Sequence, residues 1–371
     1  MTYTLTTQPR RVFSTLGVIA LALLPAVSSH GQGCMATRVS PPITGGAGKA
    51  GYLVPGQWEV SLTYRSYEAE RHFYDANQEK VPANAPRVER TIWDLSLTRA
   101  LTERTSLTVS LPYQTGTFDR SPIPPYTASA DKARGVGDVA VTLRRWMFDP
   151  TTHPRGNVRL GAGLKLPTGN YDTQTWRLVN VAAPGSPQRL DWRRGPADVA
   201  IQPGDGGLGV ALSAEGFHYL GDTNALVYGE VTYLVNPRGA NSTNNQWSGA
   251  GPYVPDPETS VPDYFIGRAG FSFGQPLGIQ GVSLQLGLRI EGQPPRDLIG
   301  SNSGFRRPGH SLSVEPGVSY AFGSTSIFVS VPMTIHRQRW RSVDEKRVGY
   351  PNAVSAAFAD YNVMAGVTYR W

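Results

Sequence analysis

From Trp58 to Trp371 the chain alternates between apolar and polar residues, in about twelve segments of roughly ten residues each, the length a tilted strand needs to cross a bilayer. A period of two places successive side chains on opposite faces of a strand. The first segment sets Trp58, Val60, Leu62 and Tyr64 against Glu59, Ser61, Thr63 and Arg65. The second sets Trp93, Leu95 and Leu97 against Asp94, Ser96 and Thr98, and the third sets Leu107, Val109, Leu111 and Tyr113 against Ser106, Thr108 and Ser110. Val139, Val141 and Leu143 oppose Arg144 in the fourth; Val158, Leu160 and Leu164 oppose Arg159 and Lys165 in the fifth. Leu208, Val210 and Leu212 mark the sixth, Val227, Val231 and Tyr233 the seventh, and Phe265, Phe271 and Phe273 the eighth, with Arg268 opposed. In the ninth, Leu284, Leu286 and Leu288 face away from Gln285 and Arg289. The tenth carries Leu312, Val314, Val318 and Tyr320, and the eleventh runs from Ile327 through Val329, Val331, Met333 and Ile335. The last alternates Tyr361, Val363, Ala365, Val367, Tyr369 and Trp371 with Asn362, Met364, Thr368 and Arg370.

The connections between these segments alternate in length. Long ones span 66–89, 116–136, 168–206, 236–261, 292–308 and 337–357; short ones fall near 101–104, 149–156, 221–223, 274–280 and 323–325. Transmembrane barrels have short periplasmic turns and longer extracellular loops, whereas a soluble sandwich has no reason to sort its loops this way. Trp58, Tyr219, Phe273, Tyr320, Phe322, Tyr369 and Trp371 fall at the short-turn ends, and Trp93, Tyr113, Tyr233 and Tyr361 at the long-loop ends. Two aromatic bands suit the two membrane interfaces. Pro112, Pro167 and Pro332 lie near the upper ends of upward strands, where they are expected to end pairing. The expectation is an all-β protein: a transmembrane antiparallel up-and-down β-barrel of about twelve strands over residues 57–371.

Composition agrees with this. Hydrophobic residues make up 40% of the chain, fewer than a helical membrane protein would carry, while Gly is abundant at 41 residues. The amino terminus supplies an address: Arg10 and Arg11, an apolar run from Val12 to Val27, then small residues Ser28, Ser29 and Gly31. These are the parts of a secretory signal peptide, placed at residues 1–33, and the run is too short to anchor in a membrane. Arg10-Arg11-Val12-Phe13 also fits a twin-arginine signal, although a barrel crosses the inner membrane unfolded. Residues 34–56 read as a leader without strand pattern, either hanging in the periplasm or plugging the lumen. Cys34 is the only cysteine, so no intramolecular disulfide can form; it is a free thiol or a lipidated first residue. The net charge of +7 does not by itself argue for nucleic acid, and no stacking platform accompanies the basic residues.

The polar face, turned inward, supplies the candidate functional residues. Arg65, Asp94, Arg144, Arg159, Lys165, Glu215, Glu230, Arg268, Arg289 and Glu315 all fall on it. Both signs occur in near balance, which suits pairing across a narrow lumen more than a charge-selective ring. The alternatives are a channel for small molecules and a salt-bridged interior without transport. A basic cluster in the last two long loops, Arg306, Arg307, Arg337, Arg339 and Arg341, is expected at the cell surface. Lipopolysaccharide phosphate is its expected partner, and attraction of an anionic solute to the mouth the alternative. Catalysis finds little support. His218 at the lower end of the sixth strand and His336, expected to point inward, have no serine in a matching motif, as a barrel lipid hydrolase would need. No metal-ligand spacing and no cofactor motif is present, and Pro203 to Gly209 lacks the strand-loop-helix context of a phosphate loop.

Three segments carry a family resemblance. They are residues 93–113 (WDLSLTRALTERTSLTVSLPY), 135–145 (GVGDVAVTLRR) and 161–169 (GAGLKLPTG), in that order. With the terminal strand they resemble a family of outer-membrane proteins assigned to transport in the MetA pathway of phenol degradation. The resemblance covers most of 58–371, and the long loops carry none of it. It implies an outer-membrane location and passage of small hydrophobic or aromatic solutes. The aromatic end is also similar to the final strand of bacterial outer-membrane barrels, which makes Tyr369 and Trp371 the expected signal to the barrel assembly machinery.

Overall fold

In a computed structural model the described residues are 52–78, 86–120, 129–180, 186–187, 189–244, 258–349 and 356–371. The signal peptide, Cys34 and most of the leader lie outside them.

Twelve strands close into one antiparallel barrel. They are β1 (Trp58–Ala69), β2 (Arg87–Ala100), β3 (Thr105–Arg120), β4 (Ala140–Trp146), β5 (Gly156–Lys165) and β6 (Gly209–Tyr219). There follow β7 (Ala225–Val235), β8 (Tyr264–Gly274), β9 (Val282–Gln293) and β10 (Gly309–Phe322). The last two are β11, in two pieces (Thr325–Ser330 and Met333–Arg339), and β12 (Val363–Arg370). Each strand pairs with its neighbours in sequence, and β12 pairs with β1 from Glu59–Arg370 to Ser66–Val363. At the seam the Trp58 and Trp371 backbones exchange two hydrogen bonds of 3.0 Å. Closure removes every edge from the apolar layer, where an unpaired backbone group has no water to bond.

The alternation read from the sequence becomes an inverted protein. Leu97, Leu111, Leu160, Leu212, Phe271, Leu286 and Val329 are exposed on the outside. Ser61, Thr63, Thr98, Thr108, Ser110, Thr142 and Thr368 are buried inside. A soluble protein would hide the first set and wet the second; a wall facing lipid needs the reverse. The aromatic bands form as well. Trp371 stacks on Tyr369 and on Trp58, with ring centroids 5.8 Å and 6.4 Å apart, and Trp93 lies 4.6 Å from Tyr64. Tyr219 is the exception: it is buried within the lumen. Its neighbours in β6, Phe217 and Glu215, share that face, so one turn-proximal aromatic belongs to the interior instead of the girdle.

Two irregularities follow from proline. Pro112 stays within β3, and opposite it residues 137–139 leave the strand conformation, because proline has no N–H to offer β4. Above this break, Ser129–Val136 resumes pairing with β3. Pro332 splits β11, and a bulge follows, where Leu312 pairs with His336 but Ser313 pairs with Thr334. The extra residue, Ile335, reverses the alternation above it. His336 therefore faces outward beside His310, with ring centroids 5.6 Å apart, and not inward as simple alternation predicts.

The long connections carry structure of their own. Arg71–Tyr74 pairs with Asn77–Gln78 and Ala356–Phe358, and Gln174–Asn180 forms a hairpin with Leu190–Pro196. A short helix, Val343–Arg347, starts at a capping box between Ser342 and Glu345. Deleting Trp371 removes a girdle ring and the last backbone bonds of the seam. The expected result is a several-fold lower yield of heat-modifiable barrel in membranes, measured before any transport assay; an unchanged yield would exclude a role in assembly.

Candidate functional site

Nine of the ten inward residues come together as ion pairs at several levels of the lumen, and Asp94 is held by a hydrogen bond instead. Arg65 of β1 reaches Glu291 of β9 at 2.5 Å, passing over β10, β11 and β12. Glu291 also accepts from Arg289 at 2.9 Å, and Asn362 Oδ1 accepts from Arg65 at 3.0 Å. Arg268 of β8 donates to Glu315 of β10 at 3.1 Å and to Glu230 of β7 at 3.2 Å, while Glu315 lies 4.0 Å from Arg289. Arg65, Glu291, Arg289, Glu315, Arg268 and Glu230 thus form one chain of six charges across β1, β7, β8, β9 and β10, and Arg289 is 1% exposed. On the opposite wall Glu215 accepts from Arg159 and lies 4.0 Å from Arg144. Lys165 bonds Asp205 and lies 3.8 Å from Asp138. Asp94 accepts from Ser96 at 2.9 Å. Taking both members of a pair out of water is tolerable when each offsets the other's charge.

Above this layer residues 197–205, from the connection between β5 and β6, fold into the barrel. Inward-facing Arg90 of β2 donates to the carbonyl oxygens of Ala200 at 2.7 Å and Gln202 at 3.0 Å, and also to Gln114. Ala200 and Ile201 pack on Ala69, Val88, Phe118 and Ala133 of the extended strands. Asp138 accepts from the backbone N–H groups of Gly169 at 2.9 Å and Asp205 at 3.2 Å. The segment enters and leaves through a contact between Gly169 and Gly204. A Cβ on Gly204 would stand 2.5 Å from the Gly169 carbonyl oxygen, closer than any side chain tolerates. Between this inserted segment and the ion pairs lies a cavity of about 210 Å³. Ile92, Pro112, Leu234, Tyr264 and Phe305 form part of its wall, with Gln114 and Thr142 among the polar groups.

The basic cluster expected at the cell surface is not a surface. Arg306 makes a two-pronged pair with Asp297 at 2.8 Å and 2.7 Å, and Arg307 another with Asp198 at 3.3 Å and 3.2 Å. Arg339 is fully buried, on Glu345 at 2.9 Å and the Pro308 carbonyl at 3.2 Å. Arg337 holds Asp360 and the Ala359 carbonyl, and Arg341 has partners of its own. Counting charges by sequence missed the acids that long-range folding brings to them, Asp198 most of all. These five arginines tie the extracellular segments together through partners of their own, instead of standing free at the surface.

A second feature of the lumen has no clear sequence signal. At the periplasmic end Trp146, Phe217, Tyr219, Leu226 and Tyr228 form a buried cluster on the inner faces of β4, β6 and β7. Tyr52, from the leader, packs against it: its ring meets Trp146 at 4.8 Å and Phe217 at 6.0 Å, edge-on to both. The Tyr52 hydroxyl donates to the His153 carbonyl at 2.9 Å. Among the described residues, no group of His, Cys, Asp and Glu could hold a metal ion.

An apolar wall, two aromatic bands and a polar lumen crossed by an inserted segment define an outer-membrane β-barrel. Among solved structures, the COG4313 outer membrane channel from Pseudomonas putida F1 matches with a TM-score of 0.58 at 13% identity, over 90% of this chain and all (100%) of that one. Weaker matches include a TodX monoaromatic hydrocarbon channel mutant (TM-score 0.46, 9% identity, 86% of this chain and 91% of that one). The beta domain of the Bordetella autotransporter BrkA is similarly distant (TM-score 0.43, 14% identity, 85% and 100%). No family model and no curated protein sequence matches the chain. The likeness is one of fold, and the phenol-degradation resemblance rests on its three motifs.

Proposed function

We propose that this chain is an outer-membrane channel for passive passage of small hydrophobic or aromatic molecules. The observation that carries the reading is the cavity of about 210 Å³ between the inserted segment and the ion-pair layer. An apolar cavity of about 150 Å³ accommodates benzene, so a space of this order suits a single ring. Solute would enter from the extracellular mouth, rest beneath the inserted segment, and leave when that segment or the ion pairs yield. The same geometry supports a second reading, a closed barrel with a structural or surface-binding role, because Arg65 and Glu291 bridge the lumen directly.

Flux separates the two. Purified protein in liposomes is expected to admit benzyl alcohol faster than empty vesicles do. Gly204→Val, which drives a side chain into the Gly169 backbone, is expected to displace the inserted segment and raise single-channel conductance several-fold. Absence of flux and conductance from both proteins would leave the structural reading standing. Outer-membrane lipid and the barrel assembly machinery are the partners this reading requires, and a signal peptide at residues 1–33 is the export route.

A further inference from the structure

The leader residue Tyr52 sits in a niche built for a ring. Trp146 and Phe217 present themselves to it at interplanar angles of 65° and 61°, and to each other at 90° with centroids 6.0 Å apart. Edge-to-face contact on two sides is the arrangement aromatic rings prefer over stacking in full register. The His153 carbonyl supplies an acceptor at the point where the ring carries its hydroxyl. Arg159 lies over Trp146 at 4.8 Å, so the niche is polarised as well as aromatic. All of these groups but Tyr52 belong to the wall or to the β4–β5 turn. Tyr52 belongs to no strand. It hangs from β1 by a turn in which Gln57 N–H donates to the Val54 carbonyl at 3.0 Å. The ring can therefore leave by giving up its hydroxyl's own bonds, to the His153 carbonyl and to Asn157, without breaking any bond between strands.

We infer that this niche is a binding site for a one-ring aromatic solute bearing a hydroxyl, and that Tyr52 is a tethered competitor occupying it. The inference rests on the channel reading only in that solute must reach the niche along the lumen. Tyr52 closes the periplasmic end while the lumen is empty and is exchanged for a solute ring when one arrives. A competitor that fills the site about nine-tenths of the time weakens solute binding about tenfold.

The test uses the full-length barrel in detergent and 4-methylphenol as probe, with binding followed by calorimetry. Tyr52→Ala is expected to bind 4-methylphenol about tenfold more tightly than the wild-type chain. Toluene, which has no donor for the His153 carbonyl, is expected to gain by the same factor but to bind more weakly than 4-methylphenol in both proteins. Tyr52→Phe keeps the ring and loses the hydroxyl, so a gain of about two- to threefold is expected from the weakened competitor. Adding Trp146→Leu to Tyr52→Ala is expected to abolish the gain. Equal affinity in the wild type and both Tyr52 variants overturns the inference, as does a gain that survives Trp146→Leu. Retention of heat-modifiable mobility checks each fold, and Tyr52→Phe decides if Tyr52→Ala loses it. Liposome flux without any Tyr52 effect on binding sinks the inference alone, whereas tighter binding without flux sinks the channel reading alone.

Discussion

Glu291→Ala is expected to destabilise the barrel by about 3–5 kcal/mol, the cost of stranding a buried charge by removing its partner. Two guanidiniums depend on that carboxylate: Arg65 at 2.5 Å and Arg289 at 2.9 Å. Asn362 would still accept from Arg65, and Glu315, 4.0 Å from Arg289, would be shared with Arg268. Urea unfolding in lipid vesicles measures the loss. The double variant Arg65→Met, Glu291→Leu removes one charge of each sign, and should recover part of the stability while leaving Arg289 underpaired. A loss below about 1 kcal/mol in the single variant would mean that water reaches this pair, as it does exposed salt bridges, and that the lumen is wider than the structure has it.

Leu288→Arg tests the opposite face of the same strand. Leu288 is exposed on the outer wall, next to buried Arg289 on the inner one. An arginine near the bilayer midplane of a barrel costs about 2–4 kcal/mol, falling towards zero at the interfaces. The expected result is a loss of that size in the same unfolding assay, with conductance of the surviving barrels unchanged. Val282→Arg, at the periplasmic end of β9, should cost far less. Equal costs at the two positions would contradict the placement of the membrane across this strand.

The wall was legible in the sequence because lipid imposes one rule on every strand. Wherever the chain spans, the outward residue must be apolar, so a period of two and the loop lengths together locate all twelve strands. The lumen is bound by no such rule. Phe217 and Tyr219 face inward with Glu215, as the parity of Leu208, Val210 and Leu212 requires, whereas position near a turn reads Tyr219 as a girdle residue. Nor can alternation foresee the bulge at Ile335, since an inserted residue changes facing without changing composition. The ion pairs were half visible: ten inward charges could be named, but their pairing depends on distance across the ring, as between Arg65 and Glu291. The extracellular arginines misled most. Arg306 and Arg307 stand side by side in sequence, yet one goes to Asp297 nearby and the other to Asp198, 109 positions away. A list of charges has no access to that fold-back, and the same fold-back brings the inserted segment into the lumen.

The seam between β12 and β1 sets the order in which this molecule can be finished. Eleven of the strand pairings join neighbours in sequence, but Glu59 and Arg370 meet across 311 positions. Loop-closure entropy rises only as the logarithm of length, so bringing these ends together costs about 3 kcal/mol more than closing a ten-residue turn. The larger burden is topological. Until the last strand arrives, the growing sheet carries two open edges, each able to template pairing with another chain. Anything meant to lie inside, residues 197–205 and Tyr52 included, has its simplest entry while that gap remains. The assembling protein is thus an open, adhesive sheet, and it becomes a sealed vessel only when β12 reaches β1.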